Sequence, residues 1–151
     1  MSGPDVRARL DRRFDPAELR QIKRLWVRHS IAEDRRDIEG LVATLAPDCV
    51  YELVPTGQRW EGHAGARAFY TELFAAFPDN AFALSEIVVG PQGVFEVATL
   101  TGTNQGPWAG VPPSGLAVSL EVLILFPWDP VTERFTGERI WFDRGGAAAR
   151  S

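Results

Sequence analysis

Leu120-Glu121-Val122-Leu123-Ile124-Leu125-Phe126 is the stretch on which the fold turns. Its branched and aromatic residues read as the body of a strand over about 117–126. Leu120, Val122, Ile124 and Phe126 fall on one face, Leu123 and Leu125 on the other. A strand that is apolar on both faces must be covered twice. Around it the chain reads as strand throughout the second half. Segments 82–89 and 94–103 flank the turn Gly90-Pro91-Gln92-Gly93, and a Gly- and Pro-rich loop from Gln105 to Gly115 leads into 117–126 and then 135–143.

Helical spacing is confined to the first half. Asp15 is placed to cap a helix with Pro16 in its first turn, and Leu19, Ile22, Leu25, Trp26, Ser30 and Ala32 continue the pattern. Asp37 caps a short second helix carrying Ile38, Leu41, Val42 and Leu45, with Pro47 as its stop. Cys49–Val54 reads as a strand ended by Pro55-Thr56-Gly57. After Gly62, a third helix carries the stripe Ala66, Phe69, Tyr70, Leu73, Phe74 and Phe77. The expected order is helix, helix, strand, helix and four strands: an α+β fold with three helices from the N-terminal half packed on a mostly antiparallel sheet. Helices cover one face of that sheet. A second copy of the chain is the economical cover for the other, so a homodimer is expected.

The 151 residues suit one domain, expected over 16–144, with a flexible lead-in at 1–15 and a flexible tail at 145–151. With 45% hydrophobic and 24% charged residues the chain has the composition of a globular protein. No apolar run reaches the ~20 residues that span a bilayer, and no apolar segment follows Met1, so no membrane partner and a cytoplasmic location are expected. Residues 1–36 hold ten basic and six acidic side chains, but Asp5, Asp11 and Asp15 interrupt the arginines, which argues against nucleic acid. The single cysteine, Cys49, and two histidines 34 positions apart give no metal-ligand spacing, and no metal is expected. With Lys23 the only lysine and no glycine-rich phosphate loop, nucleotide chemistry has no support either.

Several polar residues lie where a pocket would need them. Arg139, Trp141 and Asp143 alternate and so share one face of the 135–143 strand; if that face lines a pocket, Asp143 is a desolvated base. His63 precedes the third helix and is a candidate acid or base. His29 and Glu33, four residues apart beside the apolar stripe of the first helix, can reach a cavity from there. Tyr51 on the first strand, Trp26, and Trp108 in the long loop are candidates to contact an aromatic ligand. The structural alternatives are a solvent-facing Asp143 paired with an arginine, a His63 that only shapes the helix start, and tryptophans that are plain core.

The element order, together with Trp60-Glu61-Gly62-His63-Ala64-Gly65-Ala66-Arg67-Ala68-Phe69-Tyr70, Phe77-Pro78-Asp79, Leu100-Thr101-Gly102-Thr103-Asn104-Gln105-Gly106-Pro107-Trp108, Gly110-Val111-Pro112-Pro113-Ser114-Gly115 and Ile140-Trp141-Phe142-Asp143, resembles the SnoaL-like polyketide cyclase branch of the NTF2-like superfamily. The resemblance implies a cone, a curved sheet wrapped round a helix with an apolar pocket inside. It also implies cofactor-free aldol-type ring closure with an Asp of the final strand as acid/base, the position held here by Asp143. Where the family often carries His, this chain has Asn104, which can hydrogen-bond an enolate oxygen but not shuttle a proton. The resulting expectation is a small lyase- or isomerase-type enzyme that needs no cofactor and acts on an apolar, polyketide-like carbonyl compound. Asp143 would be its base, with Asn104 or His63 at the enolate oxygen. The alternatives on the same fold are a noncatalytic binder of an apolar or aromatic small molecule, and epoxide hydrolysis, isomerisation or dehydration.

Overall fold

Asp15 starts the long N-terminal helix as its sequence position suggests: its Oδ1 accepts from the Ala17 N–H at 2.9 Å, and Pro16 occupies the first turn. The computed structural model describes residues 4–13 and 15–143. Its helices are α1 (Pro4–Leu10), α2 (Pro16–Asp34), α3 (Ile38–Val42) and α4 (Gly62–Ala76). Its strands are β1 (Leu45–Leu53), β2 (Gln58–Glu61), β3 (Ala81–Gly90), β4 (Gly93–Thr103), β5 (Ala117–Asp129) and β6 (Arg134–Phe142).

The six strands form one sheet in the order β2-β1-β6-β5-β4-β3. Every neighbouring pair is antiparallel except β1 and β6, which run parallel. α4 packs on β1 and β2, and α2 reaches across to β3 and β4. This is the α+β architecture expected, with three differences. Residues 4–10 form a helix where a lead-in was expected. Gln58–Glu61 adds an edge strand that folds back on β1. Pro47 lies inside β1, because α3 has already ended at Val42. The expected tail at 145–151 lies outside the described residues.

Between sheet and helices sits the core: Ile22 and Leu25 from α2, Ala66, Phe69, Tyr70 and Leu73 from α4, and the inward faces of β4 to β6. At one end Glu18 accepts from Arg12 at 2.6 Å and from the Trp128 indole at 2.8 Å, while Arg12 also donates to the Pro91 carbonyl. On the outer face Val97, Leu123 and Trp141 stand side by side across β4, β5 and β6, next to Phe95 and Leu125, all half-buried.

One irregularity decides which residues of β6 face inward. Leu125 pairs with Arg139 and Trp128 with Phe135, so three steps along β5 are matched by four along β6. The extra residue is a β-bulge, and Gly137 within it has φ +116. A Cβ at Gly137 would fall on the Val50 carbonyl of β1, so only glycine fits. Beyond the bulge the alternation is inverted: Phe135 points in, and so do Glu138, Ile140 and Phe142.

Candidate functional site

The inward face of α2 brings Trp26, His29 and Glu33 toward the sheet. His29 is fully buried and is the centre of a polar network inside the apolar core. Its Nδ1 lies 2.7 Å from the Thr44 hydroxyl, and its Nε2 lies 3.0 Å from both the Tyr70 hydroxyl and Glu138 Oε1. Tyr70 donates to Glu138 at 2.8 Å, and its oxygen is 2.9 Å from the Tyr51 hydroxyl. These residues come from α2, the turn after α3, α4, β6 and β1, and all are buried. Burial of this many polar groups is tolerable only because they satisfy one another.

Two cavities meet beside this network, and Glu33 and Phe82 line both. The inner one runs between apolar walls that include Phe69, Leu73, Trp108 and Ile140, with Glu33 and Glu138 as its only titratable groups among the described residues. The outer one runs past Trp26, His29, Glu96 and Phe126. Trp26 donates its indole hydrogen to Glu96 at 2.9 Å.

The electrostatics follow from placing several carboxylates in little water. Burial first, and then the negative charges of Glu138, Glu96 and Asp34, push the Glu33 carboxyl well above its ordinary range, with Arg36 opposing. Burial and the Glu138 charge push Glu96 up to about 7, against the hydrogen bond from Trp26. The Tyr51 and Tyr70 hydroxyls are raised well above 10 chiefly by burial, so both stay protonated and donate. Cys49 is raised to about 11 by burial, which leaves an inert thiol. Among the described residues no group of three or more His, Cys, Asp or Glu is arranged to hold a metal ion.

Of the residues singled out from sequence, Trp26, His29, Glu33, Tyr51 and Trp108 come together here. Trp108 lines the inner cavity and packs against Phe77 and Phe142. The others lie elsewhere. The bulge turns Arg139, Trp141 and Asp143 to the opposite face of β6 from the one expected: Arg139 donates to Glu52 at 3.1 Å and stacks over Trp141. Asp143 is exposed just past the end of β6 and lines neither cavity. His63 is half-buried at the start of α4, where its Nε2 meets the Leu45 carbonyl at 3.0 Å. Asn104 is buried in the loop after β4, its amide donating to the Pro112 carbonyl at 3.3 Å and its backbone paired with Leu116, Ser114 and Gly115. Its Oδ1 has no partner among the described residues.

Sequence reasoning missed Glu138, Tyr70, Glu96 and Thr44. The signal for Glu138 was the glycine before it. A glycine inside a strand marks a bulge, and a bulge moves the inward set by one residue.

No functionally curated protein matches the sequence. Among solved structures the fold is close to that of a protein from Jannaschia sp. CCS1, provisionally named a SnoaL-like polyketide cyclase. The two are 24% identical, the match covers 92% of this chain and 99% of that one, and the TM-score is 0.75. A protein of the same provisional name from Shewanella denitrificans OS-217 is 16% identical over 89% of this chain and 96% of that one, with TM-score 0.73. A provisionally named ketosteroid isomerase from Kribbella flavida DSM 17836 is 17% identical over 89% and 84% of the respective chains, with TM-score 0.65. At these identities the likeness is one of fold. Sequence carries it further, because the profile of the SnoaL-like polyketide cyclases matches residues 20–149, from near the start of α2 past the end of β6. The chain therefore belongs to the SnoaL-like polyketide cyclase family.

Proposed function

We propose that the protein is an acid–base enzyme acting on a flat, apolar carbonyl compound, with Glu138 as the base and Glu33 as the acid. The observation that carries this is that both carboxyl groups face one apolar cavity in unlike surroundings. Glu138 accepts a hydrogen bond from Tyr70 and lies against His29, whereas burial and the charge of Glu138 raise the Glu33 carboxyl well above its ordinary range and favour its protonated form. Two carboxyl groups whose environments differ in this way divide naturally into base and acid.

In the proposed step, a Glu138 oxygen removes a proton from the carbon beside the substrate carbonyl. The C–H electron pair becomes the C=C of an enolate, and the developing charge on oxygen takes the Glu33 hydrogen. An enolate carbon facing a second carbonyl of the same molecule then closes a ring, and return of the proton to carbon instead gives isomerisation. The apolar walls favour a hydrocarbon framework and exclude water that would quench the enolate. We also propose that a second copy covers the outer face at Val97, Leu123 and Trp141, which form a continuous apolar row on three adjacent strands.

Enolisation can be tested without the natural substrate. The α-hydrogens of 2-tetralone, a flat apolar ketone, exchange in D2O only when a base removes them. The protein is expected to accelerate that exchange, followed by proton NMR, and Glu138→Gln to remove most of the acceleration. Exchange no faster than in buffer would refute the assignment of the base.

A further inference from the structure

Two cavities flank one side chain, and neither has room for a ring by itself. The inner cavity has a volume of about 20 Å³ and the outer one about 80 Å³. A water molecule needs about 10–15 Å³ of such space, whereas benzene occupies an engineered cavity of about 150 Å³. A ring therefore reaches Glu138 only if part of the wall between the cavities moves aside. Glu33 and Phe82 are the two residues that line both. Glu33 belongs to α2, which is anchored in the core on either side of it by His29 and Ala32. Phe82 has more freedom. Its strand, β3, lies at the edge of the sheet and pairs with β4 alone; most of its residues are exposed, and its register breaks between Leu84 and Glu86. The Phe82 ring is half-buried, so turning it toward solvent breaks no hydrogen bond and forfeits only part of the burial of an aromatic side chain.

We infer that Phe82 is a specificity-determining residue, the gate whose ring closes the passage between the cavities and turns aside to admit a flat ligand. The space the ring vacates joins the two cavities into one slot, which runs from Trp26 and Glu96 past Glu33 to Trp108 and Ile140. A flat framework two rings long suits such a slot, with its carbonyl end beside Glu33 and Glu138 and its other end in the outer cavity. The ligand bears the cost of holding the ring aside, so its apparent affinity falls by the fraction of molecules in which the gate stands open. For a half-buried phenyl ring that factor is roughly tenfold. The presence of a carbonyl compound in the slot rests on the proposed acid–base function, whereas the gate does not.

The probe is 2-naphthol, a flat two-ring molecule whose own fluorescence reports its transfer from water to an apolar site and whose binding involves no chemistry. Stopped-flow mixing with the whole protein gives association rate and affinity together. Phe82→Ala removes the ring and should bind 2-naphthol roughly tenfold faster and tighter than the wild type. Phe82→Trp enlarges the gate and should bind it more slowly and more weakly. In 2-tetralone exchange the half-saturating ketone concentration should follow the same order. A wild-type association rate or a wild-type affinity in Phe82→Ala overturns the inference, as does failure of both proteins to bind 2-naphthol. A crystal structure with 2-naphthol beside Glu138 and the Phe82 ring still between the cavities would overturn it as well. Should Phe82→Ala not fold, Phe82→Leu, which keeps part of the packing, decides by the same comparison. Faster and tighter binding to Phe82→Ala in a protein that exchanges no ketone would support the gate and refute only the acid–base function.

Discussion

Trp26 and Glu96 hold each other across the outer cavity, indole Nε1 to carboxylate Oε2 at 2.9 Å, one from α2 and the other from β4. The pair ties the helix layer to the sheet beside the site. Glu96 also makes stability depend on pH, against the pull of the Trp26 hydrogen bond. Burial and the Glu138 charge raise the Glu96 carboxyl from an ordinary 4.5 to about 7. The folded protein therefore binds this proton more tightly than the unfolded chain does. Its contribution is complete below about pH 4.5 and is lost as pH rises through about 7. Glu33 acts in the same direction. The melting temperature is expected to fall between pH 5 and 8, the Glu96 share being roughly 2–3 kcal/mol. Glu96→Gln should flatten that fall in thermal scans across the range. A variant as steep as the wild type would show that Glu96 does not titrate there.

Glu138→Gln keeps the shape of the side chain and removes the base. Ketone exchange should fall by roughly 10²–10⁴, the usual worth of a positioned base. Asp143→Asn, on the exposed end of β6, should leave exchange within about twofold. The reverse ranking of these two variants in the 2-tetralone assay would return the base to Asp143.

Gly137→Ala tests the bulge that orients the site. Its φ of +116 and the Val50 carbonyl leave no room for a methyl group. A loss of about 3 kcal/mol or more is expected in urea unfolding, or failure to fold. Gly90→Ala, where an added Cβ meets nothing within 4 Å, should change stability by no more than about 0.5 kcal/mol. Equal effects at the two glycines would mean that the close approach of β6 to β1 is not required.

Leu123→Lys tests the cover on the outer face. Sedimentation should find the wild type as a dimer at micromolar concentration and the variant as a monomer with unchanged circular dichroism. A monomeric wild type, or a variant that remains dimeric, would place the contact elsewhere or remove it.

The helices and most strands were readable because each rests on local periodicity: the α4 stripe through Phe69, Tyr70 and Leu73, and the two-residue alternation of β5. The candidate site was half readable. His29 and Glu33 sit on the edge of an amphipathic helix, where a polar residue at a buried position draws notice. Glu138 could not be found by alternation alone, because the bulge at Gly137 inverts it and made Arg139, Trp141 and Asp143 look inward. Its partner is also remote, since His29 and Glu138 lie 109 residues apart. No window of periodicity spans that distance.

The parallel pairing of β1 with β6 has a consequence for biosynthesis. Residues of the site emerge from the ribosome over most of the length of the chain, Trp26 early and Glu138 late. Until β6 is made, β1 has only the short β2 beside it, and the sheet is divided between β1–β2 and β3–β5. The nascent chain thus carries an open apolar strand edge and a buried-type histidine with no carboxylate to meet. Closure of a long loop then joins the two halves in a single late event, the kind of non-local step that slows folding and exposes strand edges to other chains. Ribosome-bound chains halted before Arg134 should accordingly need chaperone protection that chains carrying all of β6 do not.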